Sequence, residues 1–413
     1  MHTVECGVGM IRDVFGPTDI LIPEASALER WSVIACDQFS SGRDYWERVR
    51  ERVGEAPSAL NTIIPEVYLS EIDEEKEIRK ISSVMDSYIK SGVLREIESS
   101  FIYVERTQSD GRVRRGLVGA VDLEEYEFSG SGAAILASEN TVLERLPARI
   151  RIRKAARFES PHIIAFIDDK EATVIEPLSE KAGNLPILYD FDLMEGGGHI
   201  RGRRVFGDDA SEVLSALREL HGKNKTLMVV GDGNHSLAAA KVHWDELKQG
   251  LSEGDREFHP ARRALIEVNN IYDSAISFEA IHRVVFDVDP VEFIDAFEQV
   301  MPGGNDYEVR WVSQGLSGVV RVSAGCIGDM QAAMQEFLDN QVNRTGCRVD
   351  YIHGADAVER LARKDRCTGL ILPAMDKSEL FETVAIRGVF PKKSFSVGQA
   401  RDKRYYLECR VIM

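Results

Sequence analysis

The chain has 413 residues, 44% hydrophobic and 29% charged, with a formal net charge of −17 and a pI near 5.1. That balance belongs to a globular protein with a large core, long for one domain and short for three. The acidity excludes a general nucleic-acid binder, which needs a basic face. No apolar stretch approaches the ~20 residues that span a bilayer, and the opening MHTVECGVGMIRDVFGP lacks the charged-then-apolar order of a signal peptide. Cysteines stand at 6, 36, 326, 347, 367 and 409 with no Cys-x-x-Cys spacing. Sparse usage of this kind fits a reducing compartment, so the expected location is the cytoplasm, with no membrane or nucleic-acid partner.

In chain order, TDILIP (18–23) predicts a short strand, and WSVIACDQFSS (31–41) an apolar strand running into a polar loop. Residues 42–58 predict a helix closed near Gly54 and Pro57. Ile78, Ile81, Val84, Met85 and Ile89 recur at helical spacing, which predicts a helix over 74–97. Residues 99–128 alternate around a Ser-Asp-Gly-Arg turn, a β-hairpin pattern. A basic cluster follows: Arg145, Arg149, Arg151, Arg153, Lys154 and Arg157. The alternation in ARIRIRK puts Arg149, Arg151 and Arg153 on one strand face, either as forks for carboxylate or phosphate or as a solvated edge. HIIAFID is a strand, residues 185–205 are two strands around a Gly-Gly-Gly turn, and a helix covers 209–221. Beyond residue 263 come strands at 263–273 and 281–288, then a ββ-plus-helices piece. The organisation expected is a main α/β domain over 1–285, a small α/β subdomain over 286–365 and a C-terminal segment, 366–413, that returns to the main domain.

The most informative stretch is KTLMVVGDGNHSLAAAKVHW (225–244). An apolar strand stops at Gly231-Asp232-Gly233-Asn234-His235-Ser236 and an alanine-rich helix starts there. Gly231 and Gly233 allow positive φ and close approach of another group, and Asn234 or Ser236 suits a helix cap. The carboxyl end of a strand in an open α/β sheet is where ligands sit, and a helix start favours an anion. Asp232 suits a magnesium ion or a hydroxyl proton, and His235 in the first turn suits a base or hydrogen-bond donor. The competing reading is a tight capped turn with no ligand. Neither a P-loop nor a Gly-x-Gly-x-x-Gly fingerprint is present. His243 lies two turns beyond His235 and reads as a packing residue. Asp37 and Gln38, past an apolar run, are positioned to meet the motif, and Cys36 next to them raises the option of a Cys36–His235 nucleophile pair. Lys392 and Lys393, with Ser394 and Ser396 in FPKKSFSVGQARDKR, suit an anion. Arg283 and His353 are weaker candidates.

Five stretches, VGDGNHSLAAAK, WSVIACDQFSS, ENTVLERLPARIRIR, YDFDLMEGGGHIRG and FPKKSFSVGQARDKRYYLECRVI, resemble those of a bacterial and archaeal family catalogued as domain of unknown function 1015. Many members read Asp-Gly-His-His-Arg where this chain has Asp232-Gly233-Asn234-His235-Ser236, so the arginine place holds Ser236. The Asp-Gly-x-His pattern is similar in turn to the nucleotide motif of the ParB/sulfiredoxin superfamily. Asn234 replaces the cysteine of sulfiredoxin, and no helix-turn-helix of ParB is seen, which leaves the free-serine kinases.

That resemblance implies an α/β (α+β) fold with a ParB/sulfiredoxin-like mixed-sheet core, added elements and a small subdomain. It implies phosphoryl transfer from ATP or ADP, with Mg2+, to the hydroxyl of a small metabolite, free L-serine first. In that scheme Gly231, Gly233, Asn234, His235 and Ser236 cradle phosphate, with Lys392 and Lys393. Asp232 holds the metal or takes the proton, and Asp37 is the other acid. Gln38, Arg145, Arg149 and Arg283 bind substrate. The alternative is a nucleotide sensor without turnover. The oligomeric state stays open, a homodimer being one option.

Overall fold

The computed structural model describes residues 13–39, 42–69, 71–129, 132–141 and 146–413, which build a mixed α/β architecture around two sheets. The larger is an eleven-stranded mixed sheet. Its antiparallel half centres on the hairpin of Leu94–Thr107 and Val113–Asp122, paired Ile102 to Val118. Arg263–Asn270 joins this hairpin antiparallel and then pairs in parallel with Ile164–Ile167. The motif strand, Met228–Asp232, lies between Ile164–Ile167 (antiparallel) and Ile135–Ala137 (parallel).

These central strands are apolar runs because both sheet faces are covered. Along the motif strand Met228 and Val230 enter one core with Leu217 and Trp244, while Val229 enters another with Phe278 and Phe395. Period-two alternation thus buries successive residues in different cores. The motif strand is thereby fixed on both sides, and its carboxyl end has a rigid place.

The second sheet has six strands in the order Leu316–Val322, Gly303–Ser313, Cys367–Ile371, Phe278–Phe286 and Arg348–His353, with Phe395–Val397 also on Phe278–Phe286. It therefore draws strands from both sides of the 286–365 piece. Helices Pro290–Val300 and Ile327–Thr345 cover it through Phe293, Phe297, Met334 and Phe337. The same core continues into Leu136, Phe166 and Val229, so the two sheets share apolar packing.

Three local expectations need correction. The helix predicted over 74–97 ends at Lys90, because Gly92 turns the chain at φ +70°, and residues from Leu94 are strand. The strand expected over 31–35 shrinks to Val33–Ile34 behind a helical turn, Leu28–Trp31. ARIRIRK is not a strand: Leu146–Ala155 is an α-helix, so its arginines do not share a strand face. Ile150 packs on the motif helix and Ile152 on a different core, so two isoleucines two apart imitate strand alternation.

The C-terminal segment meets the large sheet at Cys409, bridged antiparallel to Leu21 in the strand Thr18–Pro23 by two backbone hydrogen bonds of 2.8 Å. Tyr405–Tyr406 pairs with Val33–Ile34, and Arg410–Val411 with Phe158–Glu159. Buried ion pairs hold it: Arg404 contacts Glu267 at 2.9 Å and Glu408 at 2.6 Å, and Arg410 contacts Glu159 at 2.8 Å. Among the described residues no helix is long and apolar enough to cross a membrane.

Candidate functional site

The motif turn folds as its glycines require, though the two act differently. Gly233 takes φ +79° at the position just before the helix Asn234–Leu247, a conformation costly for residues with a Cβ. Gly231 is needed for space within the core: a Cβ there would stand 2.1 Å from Phe166 Cε2. Of the two uses expected of the glycines, Gly231 serves close approach, to a buried ring, and Gly233 positive φ. Neither Asn234 nor Ser236 caps the helix with its side chain. Asn234 is buried and clamps Ser138, accepting from its backbone N–H and donating to its Oγ, each at 3.2 Å. This ties the turn to the neighbouring strand.

The turn opens into a cleft of about 870 Å³. Gly231, Asp232, Gly233, Asn234, His235 and Ser236 form one wall. Asp37, Gln38, Arg149 and His162 come from the larger sheet's side, and Glu279, Ile281, His353, Lys393, the strand Phe395–Val397 and the turn after it, 398–400, from the smaller sheet's side. The cleft therefore lies between the two sheets, at a strand's carboxyl end, where α/β proteins gather ligands.

The C-terminal segment supplies the link between these walls. Lys403, buried, places Nζ 3.2 Å from Asp232 Oδ2. Its neighbour Arg404 accepts Ala35 N–H at its backbone carbonyl, 3.1 Å, and Tyr406 accepts Cys36 N–H at its hydroxyl, 3.2 Å. The same hydroxyl meets His162 Nδ1 at 3.0 Å. One short segment thus places Lys403 on the motif acid and holds the strand end that carries Asp37.

Charge in the cleft is mixed. Burial alone would raise the Asp37 carboxyl, but His162, the hydrogen bond from Gln38 Nε2 and the charges of Lys403 and Arg149 outweigh it and hold it below the usual carboxylate range. Glu139 goes the other way. Burial pushes its carboxyl up to about 7, with Asp232 adding to the rise, against backbone N–H donors from Ser394 and Lys393 and the charge of Lys403. The two acids of the cleft are thus shifted in opposite directions.

The structure gathers most residues singled out in the sequence. Asp232, His235, Ser236, Asp37, Gln38, Arg149 and Lys393 all line the cleft. Arg149 also pairs with Glu66 at 2.5 Å, and Gln38 donates to Asp37 at 3.0 Å. Lys392 is exposed and is not part of the cleft wall. Arg283 is fully buried in the smaller sheet, bonded to the Ile281 carbonyl at 2.6 Å and stacked 4.4 Å from the Tyr351 ring, so it does not reach the cleft wall as a substrate contact. Arg145, with Ser40 and Ser41, lies outside the described residues. Burial pushes the Cys36 thiol up to about 12, with Asp37 adding to it. A neutral thiol is a poor nucleophile, and Cys36 does not line the cleft that holds His235, which argues against a Cys36–His235 pair. His243 is buried and lowered to about 4 by burial and by Arg153 and Lys154, a packing residue.

Sequence reasoning missed Glu139, His162, Glu279 and Lys403. Glu139 and Lys403 carried a signal: Glu139 opens ENTVLERLPARIRIR and Lys403 lies in FPKKSFSVGQARDKRYYLECRVI, two of the stretches behind the family resemblance.

The profile of a family described as "Protein of unknown function (DUF1015)" matches residues 18–378, in agreement with the resemblance read from the motifs. No curated protein matches the chain. Solved structures that resemble it include a free serine kinase in complex with AMP, at 12% identity and TM-score 0.38, covering 70% of this chain and 90% of that one. A conserved hypothetical protein from Pyrococcus furiosus gives 12% identity, TM-score 0.35 and 69% and 92% coverage. SbnI with a C-terminal truncation, from Staphylococcus aureus, gives 10%, 0.35, and 68% and 82%.

Proposed function

We propose, from the premise that this chain belongs to the DUF1015 family of proteins of unknown function, that its cleft binds ATP or ADP and transfers the terminal phosphoryl group to the hydroxyl of a small metabolite, with L-serine the first acceptor to test. The observation that carries this reading is the meeting, in one cleft, of the motif helix start with Lys393, His235 and two carboxylates whose proton affinities are driven apart. Phosphoryl transfer asks a protein mainly for positioning and charge stabilisation.

The Asn234 and His235 backbone N–H groups at the helix start and the Lys393 ammonium hold the phosphates, the Gly233 N–H being donated to Asp232 Oδ1 and the Ser236 N–H to the Gly233 carbonyl. Glu139, poised near neutrality, takes the hydroxyl proton as the acceptor oxygen forms its bond to phosphorus and the bridging P–O bond to the departing nucleotide breaks. His235 donates to the phosphoryl oxygens. Asp37, ionised, with Gln38, orients a cationic part of the acceptor. Among the described residues no three His, Cys, Asp or Glu side chains converge as a protein-only metal site. Mg2+ in phosphotransfer sites is held by one or two carboxylates and the phosphates themselves, and Asp232 suits that role. The ion would supply neutralisation of phosphate charge.

One observation favours a second reading. Asp232 already has a cation, Lys403, at 3.2 Å, as suits a site that senses a nucleotide without turning it over. Incubation with ATP, Mg2+ and a panel of hydroxyl metabolites, read by mass spectrometry for ADP and phosphorylated product, separates the two. Product formation that disappears in Glu139→Gln supports the kinase. Saturable nucleotide binding without product supports the sensor. Absence of nucleotide binding refutes both.

A further inference from the structure

A second pocket, of about 170 Å³, adjoins the cleft. Arg149, His162 and Ser236 line both. Beyond these three its wall among the described residues is mostly apolar: Ile63, Met85, Ile152, Phe158 and Ala239, with Leu69 at the mouth. Leu69 is 42% exposed, an apolar side chain kept at an opening and not folded into the core. The Cys36 thiol, neutral at ordinary pH, also faces this space. An apolar cavity of about 150 Å³ takes a benzene ring, so this pocket has room for one ring or a branched four- to five-carbon group.

We propose that this pocket binds an apolar group, a ring or branched aliphatic chain, on the acceptor whose polar end lies in the cleft. The inference rests on the reading of the cleft as a phosphotransfer site and names the class of acceptor. Position assigns the pocket to the acceptor and not to the nucleobase. Its three shared residues include Arg149 and His162, both of which act electrostatically on Asp37, and Cys36 precedes Asp37 in the chain. The pocket therefore opens on the Asp37 side of the cleft. A burial site for one apolar group discriminates by about 10–200-fold per methylene, enough to prefer a larger hydroxy compound over serine itself.

The test uses benzyl alcohol and 3-methylbutan-1-ol as probes, titrated into the full chain and followed by ligand-observed NMR, with ATP binding titrated separately. Saturable binding is expected that ATP and adenosine do not displace. It weakens at least ~10-fold, or about 1.4 kcal/mol, when the pocket is filled by Ala148→Phe on the pocket rim. Leu69→Trp at the exposed mouth gives the same loss without touching the core. Absence of saturable binding, displacement of the alcohols by adenosine, or unchanged affinity in a folded Leu69→Trp variant overturns the proposal. Alcohol binding without any ATP binding would leave the pocket standing and remove the phosphotransfer reading, so the two failures are distinguishable.

Discussion

Lys403 Nζ stands 3.2 Å from Asp232 Oδ2, with side chains only 9% and 15% exposed. The ion pair joins the motif turn to a segment close to the C-terminus. Both charges are largely removed from water, so each depends on the other.

Breaking that pair from one side is expected to cost more than removing it whole. Lys403→Met and Asp232→Asn each lower stability by about 2 kcal/mol, and the double variant recovers part of it, because no charge is left unpaired. Urea denaturation of the four proteins of the cycle checks this. Additive losses would show that the two residues are not coupled.

Turnover, where it is detected, depends on the turn's own side chains. His235→Ala and Asp232→Ala are each expected to lower it at least ~100-fold, the usual loss for groups that stabilise transferred charge or move protons. The initial rate of ADP formation is the measurement, and near-normal rates in both variants would remove the motif from the reaction.

The Glu139 carboxyl sits at about 7 against an ordinary value of 4.5. A raised acid holds its proton more tightly in the folded state, so its contribution to stability is full below the ordinary value and is lost as pH rises to about 7. The expected fall is on the order of 2 kcal/mol between about pH 5 and 8, and Glu139→Gln flattens it. Asp37 has the opposite sign: its lowered pKa gives stability present above the ordinary aspartate range and lost in acid. If Glu139 is the base, turnover climbs with pH through about 7. Denaturation series and pH–rate profiles test both signs.

The two motif glycines should fail for different reasons. Gly231→Ala drives a methyl into the buried Phe166 ring and is expected to cost about 2 kcal/mol through overpacking. Phe166→Leu in the same chain relieves part of that cost. Gly233→Ala is penalised by its φ of +79° and by Ile163 at 3.0 Å, about 1–2 kcal/mol, with no rescue by Phe166→Leu. Thermal or urea midpoints of the five proteins separate strain from crowding.

Cys36 should be slow to alkylate. With its thiol raised to about 12, the thiolate fraction near neutrality is at least ~100-fold below that of a free cysteine. Iodoacetamide labelling followed by peptide mass spectrometry reads it, and labelling at the rate of free cysteine would show that the thiol is neither buried nor neutral.

Sequence alone determined the features governed by local rules. The strand–turn–helix at 226–247 was legible because an apolar run, two glycines and an alanine-rich stretch specify it within one short window. The hairpin at 99–128 and the pairing of YEVRWVS (307–313) with GVVRVSA (318–324) were legible for the same reason. ARIRIRK misled because its period of two came from isoleucines serving two different cores, and the helix was settled by packing on the motif helix, not by its own weak amphipathy.

Tertiary structure alone decided which polar groups meet. Residue type alone gives Glu139 and His162 no role; each matters because the fold brings it beside Asp232 or Asp37. Lys403 faces Asp232 because Tyr405–Tyr406 pairs with Val33–Ile34 and because Arg404 is locked between Glu267 and Glu408. Buried charges must find partners wherever the chain delivers them, and that choice spans hundreds of residues. Residue type and spacing marked the turn, while its electrostatic surroundings, and hence its chemistry, came from long-range burial.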